Sequence, residues 1–313
     1  MARRRRLSFL HSARSLFELR VQIDDMVANQ AAFAYGLART SAVDFSAPCA
    51  DDPMSSRVCR QADCGREYLD WLGQINESPK VARKEWEHVA ILRALTASGV
   101  LGPGTRGLGF AVGKEPLVGA LAAQGPEIVA TDLPSHDPKA ANWTSTNQHS
   151  QHLDDLRNPD ICADDLLDQR VSFQAVDMNH IPSDLVGFDF LWSACAFEHL
   201  GSIEAGLTFV ERAMRCLAPG GIAVHTTEFN LDSDVDTVVT GDTVVYRASD
   251  FAELAHRLAT HGHTMAPLVI GERAGVFDYL IDTRPNHFGT LVTRMGDYRI
   301  TSAVLVVQAA GTP

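Results

Sequence analysis

Apolar residues along this chain change their spacing near Gly104. Before it, Ser15 to Leu37 carries Leu16, Leu19, Val21, Ile23, Met26, Ala31 and Phe33 at helical intervals, an irregular apolar side that predicts a helix. Ser41 to Arg66 is dense in Ser, Asp, Pro and Cys and reads as a loop or linker. Helical patterns resume over Glu67–Leu72 and Lys80–Ser98, so residues 1–100 are predicted to form a helical N-terminal extension. After Gly104, short apolar runs alternate with helical segments, the sequence form of a parallel sheet with crossover helices. Strands are predicted at Thr105–Phe110, Glu127–Thr131, Val171–Val176, Phe188–Ser193 and Gly221–Glu228, and helices at Glu115–Gln124, Ile203–Leu217 and Ser249–His261. A strand at His263–Ile270 follows, and then a pair at Gly289–Arg294 and Ile300–Gln308 around a Gly296-Asp297 turn. The reading is an α/β domain over 101–313, with a mostly parallel sheet of about seven strands ending antiparallel. An insertion spans 133–170, a connection longer than such units ordinarily need.

Composition narrows the partners. A net charge of −12 excludes binding that depends on neutralising nucleic-acid phosphates, and 45% hydrophobic content supports a packed domain. The six cysteines follow no framework spacing and read as reduced thiols in a cytoplasmic setting. Cys59 and Cys64 lack the second Cys/His pair a zinc site needs. Arg3 to Arg6 resembles a targeting start in charge alone, since His11, Ser12 and Arg14 break the apolar stretch behind it; a solvated helix start or contact with an anionic membrane surface remain as readings. No window reaches the roughly 20 apolar residues of a membrane span.

The chemistry sits at strand ends. Gly107-Leu108-Gly109-Phe110-Ala111-Val112-Gly113 lies between a predicted strand and helix, where backbone amides cradle a nucleotide-like ligand. A dinucleotide fingerprint begun at Gly107 would need glycine where Val112 stands. Asp132 ends the second strand, about 20 residues on, where a carboxylate accepts ribose hydroxyls; Leu133 is beside it. Asp177-Met178 ends the third, a carboxylate and a thioether suited to an adenine amino group and ring face, or else a helix cap and a core residue. Phe188 to Leu200 is a strand with a polar turn that includes Ser193, and Leu217-Ala218-Pro219-Gly220-Gly221 ends a helix and opens the fifth strand.

From Thr105 to Gln308 the chain resembles the class I S-adenosylmethionine (SAM)-dependent methyltransferases through these five elements. It is most similar to a bacterial group with Arg-Gly-x-Gly-Phe-x-Val-Gly-x-Glu-Pro-Leu turns and a Ser-Ala-Cys-x-x-Glu-His-Leu-Gly-Ser loop, here Arg106–Leu117 and Ser193–Ser202. The resemblance implies a Rossmann-like fold with SAM as cofactor and S-adenosylhomocysteine as product. It implies cofactor binding by Gly107, Gly109, Ala111, Gly113, Asp132, Leu133, Asp177, Met178 and Ser193. One departure stands out. Gly107 occupies the slot where many relatives carry Asp or Glu, so Glu115 or Glu87, or water, is expected to hold the cofactor's amino group, and the N-terminal extension is expected to act as a cap, with the helix Arg83–His88 closing over the cofactor from the other side.

Methyl transfer needs alignment above all, and a hydroxyl acceptor also needs a proton acceptor. His199 is the expected general base, with Glu228 orienting it or binding substrate; His225, inside a strand, reads as core. Certain quinone-pathway relatives carry Glu-x-x-Glu-His at this loop. Here its first position is Cys195, so no metal is expected. The long insertion, with Trp143, Thr146, Gln148, His149 and His152, suits a sugar, glycan or other polyhydroxylated small molecule. Trp143, Gln148, His149 and Asn230 are assigned to it, and Asp278–Asp282 through His287 is expected near the acceptor. A homo-oligomer is compatible with these features. The competing readings are a cofactor-binding protein without turnover and a nicotinamide (NAD(P)) oxidoreductase.

Overall fold

The apolar runs predicted as strands form the centre of one sheet in the computed structural model, which describes residues 19–30, 45–282 and 290–311. In chain order the strands are β1 Ser56–Val58, β2 Arg106–Phe110, β3 Glu127–Asp132, β4 Val171–Ala175, β5 Phe188–Ala194 and β6 Leu217–Asn230. Then come β7 Thr264–Met265, β8 Leu268–Val269, β9 Ile281–Asp282, β10 Val292–Met295 and β11 Tyr298–Gln308. The main order is β4-β3-β2-β5-β6-β11-β1-β8. Neighbours from β4 through β6 are parallel, while β11 runs antiparallel to β6 from Ile300 opposite Asn230 to Gln308 opposite Ile222. This is an α/β Rossmann-like sheet whose order reverses between β2 and β5.

The helices are α1 Arg66–Gln74, α2 Arg83–Ala97, α3 Leu117–Ala123, α4 Ala141–Ser145, α5 Asp164–Arg170, α6 Ile203–Ala213 and α7 Ala248–Thr260. They cover both faces of the sheet, as parallel strands buried on two sides require. On one face Trp86, Ile91, Leu92 and Leu121 pack with Phe190 and Trp192. On the other, Phe209, Phe251 and Leu254 pack with Phe110, Leu191 and Leu305. α2 has little amphipathic character because it is enclosed: Val89 to Leu92 are all buried, and so are Glu87 and His88.

Three differences from the sequence reading have physical causes. Ser56–Val58, inside the predicted linker, is a strand that pairs with β11. Three residues are too few to show alternation, so the extension adds a strand to the sheet and is not purely helical. The predicted His263–Ile270 strand is two short strands, divided at Ala266-Pro267, where proline has no N–H for the ladder. The predicted Ile203–Leu217 helix stops at Ala213, and Met214–Cys216 tightens into a 3₁₀ turn.

Residues 19–30 are helical, within the predicted Ser15–Leu37. Arg3 to Arg6 and His287 lie outside the described residues. All six cysteines are free, and no helix among the described residues is long and apolar enough to cross a membrane.

Candidate functional site

A cavity of about 460 Å³ opens at the carboxyl edge of the sheet, against the turns that leave β2 and β5. Crossover helices depart to opposite faces there, which leaves a crevice that the strands themselves cannot fill. Its volume lies in the range of small-molecule sites.

One wall is built from the turn after β2. Ala111 and Gly113 adopt left-handed conformations, φ 47° and 52°, and both line the cavity. A side chain at Gly113 would place its Cβ 2.8 Å from the Gln148 carbonyl oxygen. That carbonyl accepts from the Lys114 amide at 3.0 Å, and the Ser150 hydroxyl donates to the Gly113 carbonyl, so the insertion is stitched onto the turn. Gly107 and Gly109 do not line the cavity. They sit within β2, where added Cβ atoms would lie 2.3 Å from Phe190 Cζ and 2.5 Å from Trp192 Cζ2. Their role is to let those rings lie flat on the strand.

Asp132 ends β3 and aims at the cavity. Its Oδ1 accepts from the Leu133 amide at 2.7 Å and its Oδ2 from the Ser150 amide at 3.0 Å. Burial pushes its carboxyl above the ordinary range, and these amides oppose the shift. His149 lies within 2.7 Å of the Leu133 carbonyl through Nε2, so that nitrogen carries the proton and donates. Its Nδ1 is buried without a partner. Val176, Asp177 and Met178 follow β4 and line the same wall. Asp177 is partly buried, which raises its carboxyl's proton affinity, but His180 Nδ1 at 2.7 Å and the Asn179 amide at 2.9 Å hold it below the usual range.

The opposite wall comes from the start of α2. Lys84 Nζ lies 2.5 Å from Glu115 Oε1, and His88 Nε2 stands 3.6 Å from Glu115 Oε2. Burial works against the Glu115 charge, yet Lys84 and His88 hold its carboxyl down at about 2. Glu115 therefore reaches the cavity already paired with Lys84. Glu87 lies behind the wall, bonded to Arg83 at 3.2 Å and to the Ser302 hydroxyl.

The third region joins the turn after β5 to β6. His199 Nδ1 is 2.8 Å from the Asp242 carbonyl oxygen, and the imidazole meets the Trp143 ring edge-on at 5.2 Å. Glu228 Oε1 accepts from Arg83 Nη1 at 2.7 Å. Burial raises the Glu228 carboxyl most; Arg83 opposes this, Glu198 and Glu87 add to it, and the result is about 7. Glu198 is fully buried, and that burial raises it too.

Trp143, Gln148, His149, His199 and Glu228 thus share one cavity with Ala111, Gly113, Glu115, Asp132, Leu133, Asp177 and Met178. Two further assignments fall outside it. Ser193 points to the other face of β5 and bonds His225 Nδ1 at 2.8 Å, because successive strand residues alternate and Ala194 takes the cavity side. Asn230 caps the following loop, accepting from the Asp232 and Ser233 amides. Asp278 binds the Gln61, Ala274 and Gly275 amides and has no place in the lining.

The sequence reading expected Arg83–His88 to close over the cofactor, and Arg83 and Lys84 do line the cavity; it gave no site role to Cys195 or Glu198, which line it too. The signal for Glu198 was its position beside His199.

No family model matches the chain, and no curated protein does. Solved structures with similar folds are found at low identity. The magnesium protoporphyrin IX methyltransferase ChlM from Synechocystis PCC 6803, with bound S-adenosylhomocysteine, is 12% identical, covering 78% of this chain and 98% of its own at TM-score 0.44. A SAM-dependent methyltransferase from Methanosarcina mazei is 13% identical over 69% and 98%, TM-score 0.42. The [4+2]-cyclase SpnF is 15% identical over 79% and 94%, TM-score 0.42.

Proposed function

We propose that this chain, which has the Rossmann-like fold of the class I SAM-dependent methyltransferases, transfers a methyl group from SAM to a hydroxyl of a small polyhydroxylated acceptor such as a sugar or glycan. One observation carries the reading. A single cavity gathers the strand-end carboxylates suited to a nucleoside, Asp132 and Asp177, with a histidine free to take a proton, His199.

The residues present fit the cofactor. A bare backbone at Gly113 and an apolar wall of Leu133, Val176 and Met178 suit a nucleoside, and Asp132 has lone pairs left for ribose hydroxyls. Lys84 is anchored by Glu115 and offers positive charge to the cofactor's carboxylate end. When bound, SAM supplies an activated methyl group on a sulfonium. The protein then aligns the acceptor oxygen and holds its proton. His199 receives that proton on Nε2, and Trp143, packed against it, offers an aromatic wall of the kind sugars stack on. Glu228 orients the acceptor by accepting a hydroxyl hydrogen.

The test is calorimetry with S-adenosylhomocysteine and with NADH, followed by label transfer from methyl-labelled SAM to fractionated glycans and polyols. Binding of S-adenosylhomocysteine with label on a hydroxyl is the expected result. Binding of NADH alone would overturn the reading.

A further inference from the structure

Where the start of α2 meets the ends of β5 and β6, negative charge exceeds what the protein supplies to balance it. Glu87, Glu198 and Glu228 are all buried, and each keeps one carboxylate oxygen without a hydrogen-bond partner: Glu87 Oε2, Glu198 Oε1 and Glu228 Oε2. Arg83 is engaged with Glu87 Oε1 and Glu228 Oε1. Lys84 is drawn to Glu115 and lies 3.5 Å from Glu87 Oε2. That leaves Glu198 and the far oxygen of Glu228 without a cation. Buried carboxylates left this way take up a proton or a metal ion.

We propose that Cys195, Glu198 and Glu228 form a binding site for a divalent cation of the zinc type on the acceptor side of the cavity. The thiol sulfur and one oxygen from each carboxylate lie within 4.8 Å of one another. Donors bound tetrahedrally to one zinc ion at about 2.0–2.3 Å lie roughly 3.3–3.8 Å apart, so side-chain shifts of about 1 Å close the site. All three residues line the cavity, which leaves an approach for a fourth ligand.

The backbone at Cys195 is left-handed, with φ +44°. The turn is held by the Cys195 amide, which donates to the Thr226 carbonyl at 3.0 Å and lies 3.1 Å from the Thr226 hydroxyl. The conformation carries the sulfur into the carboxylate cluster.

Donor chemistry selects the ion. Two carboxylates alone suit magnesium or manganese, but a sulfur ligand shifts the preference to a borderline-soft ion. Burial and the surrounding carboxylates push the Cys195 thiol well up; a bound cation reverses that and releases its proton. With the ion bound, an open coordination position would take the acceptor hydroxyl in place of a direct bond to Glu228 and lower its proton affinity, as zinc does for water, with His199 Nε2 left to receive the proton. This role rests on the methyltransferase reading, whereas the site itself does not. The proposal departs from the metal-free site expected from the sequence.

The test uses the full-length protein, stripped with chelator, dialysed, and titrated with Zn²⁺ by calorimetry, with Mg²⁺ in parallel. One zinc ion per chain is expected, bound more tightly than magnesium. Co²⁺ in its place should show a thiolate-to-metal charge-transfer band, absent in Cys195→Ser and retained in Cys49→Ser. Glu198→Gln should weaken zinc binding by roughly tenfold or more. S-adenosylhomocysteine binding by each variant serves as the folding control. Absence of zinc binding by the wild-type protein, a cobalt complex without the thiolate band, or a band that survives Cys195→Ser would each overturn the proposal. Zinc binding without S-adenosylhomocysteine binding would overturn the methyltransferase reading and leave the metal site standing; the reverse result would do the opposite.

Discussion

The Nδ1 nitrogen of His199 lies 2.8 Å from the carbonyl oxygen of Asp242. A carbonyl only accepts, so Nδ1 carries the proton and Nε2 is left with its lone pair. The nitrogen needed to receive a hydroxyl proton is therefore prepared by a loop more than forty residues away in sequence. We expect His199→Ala to lower kcat by about 10²–10⁴-fold while S-adenosylhomocysteine affinity changes by less than about threefold. Steady-state kinetics and calorimetry on the same preparation check this. Equal losses in both would show that His199 supports the fold of the cavity and not the proton transfer.

Packing at Gly107 leaves no room for a side chain at the position where the proteins this turn resembles carry an acid. The Phe190 ring occupies the space a Cβ would need, 2.3 Å away, and Ile128 closes the other side at 2.9 Å. We expect Gly107→Ala to destabilise the protein by about 1–3 kcal/mol through overpacking, and Gly107→Asp by more, since a carboxylate would be buried between the two side chains. Urea unfolding measures both. If Gly107→Asp folds normally and binds S-adenosylhomocysteine more tightly, the packing explanation fails.

Asp132 tests the cofactor wall. Its carboxylate already accepts two amides and retains lone pairs for ribose hydroxyls. Replacing it with Asn turns one acceptor into a donor facing an amide. Hydrogen bonds to charged groups contribute about 1.5–3 kcal/mol, so Asp132→Asn should weaken S-adenosylhomocysteine roughly 10–100-fold. Calorimetry would show it, and an unchanged affinity would move the ribose elsewhere.

The sheet was legible because buried strands announce themselves as apolar runs bounded by glycine and proline: Glu127–Asp132, Phe188–Ala194 and Tyr298–Gln308 all stand within a few residues of their predicted places. Residues at strand ends were legible too, since the carboxyl edge of such a sheet is where Asp132, Asp177 and His199 must emerge. What strand position alone does not show is which face a residue takes once twist and bulges act. Ser193 and Asn230 were lost to the cavity on that account, and Gly107 and Gly109 turned out to serve ring packing. The helix of Arg83 and Lys84 was expected over the cavity, but their pairing with Glu228 and Glu115 depends on how α2 docks across the sheet, a contact between segments far apart in sequence. The orphaned carboxylates around Cys195 have the same origin.

His225 provides a test of the core that is independent of any ligand. It is fully buried between Phe197 and Phe209, bonds Ser193 through Nδ1, and leaves Nε2 without a partner. Burial lowers its proton affinity to about 3, so it stays neutral inside the fold. In the unfolded chain the same ring titrates near 6.5. Between those values the unfolded state binds the extra proton, so stability is full above about pH 6.5 and is lost as pH falls toward 3. The loss attributable to this residue approaches at most about 1.4 kcal/mol per pH unit. His225→Asn keeps a polar partner for Ser193 but removes the titration. We expect the variant to be less stable than the wild-type protein at pH 7, because it leaves space between the phenyl rings. Its stability should also fall less steeply from pH 6.5 to pH 5. Chemical denaturation across that range gives both curves. Parallel curves would mean that the imidazole charges inside the fold, and the core around it would then have to admit water.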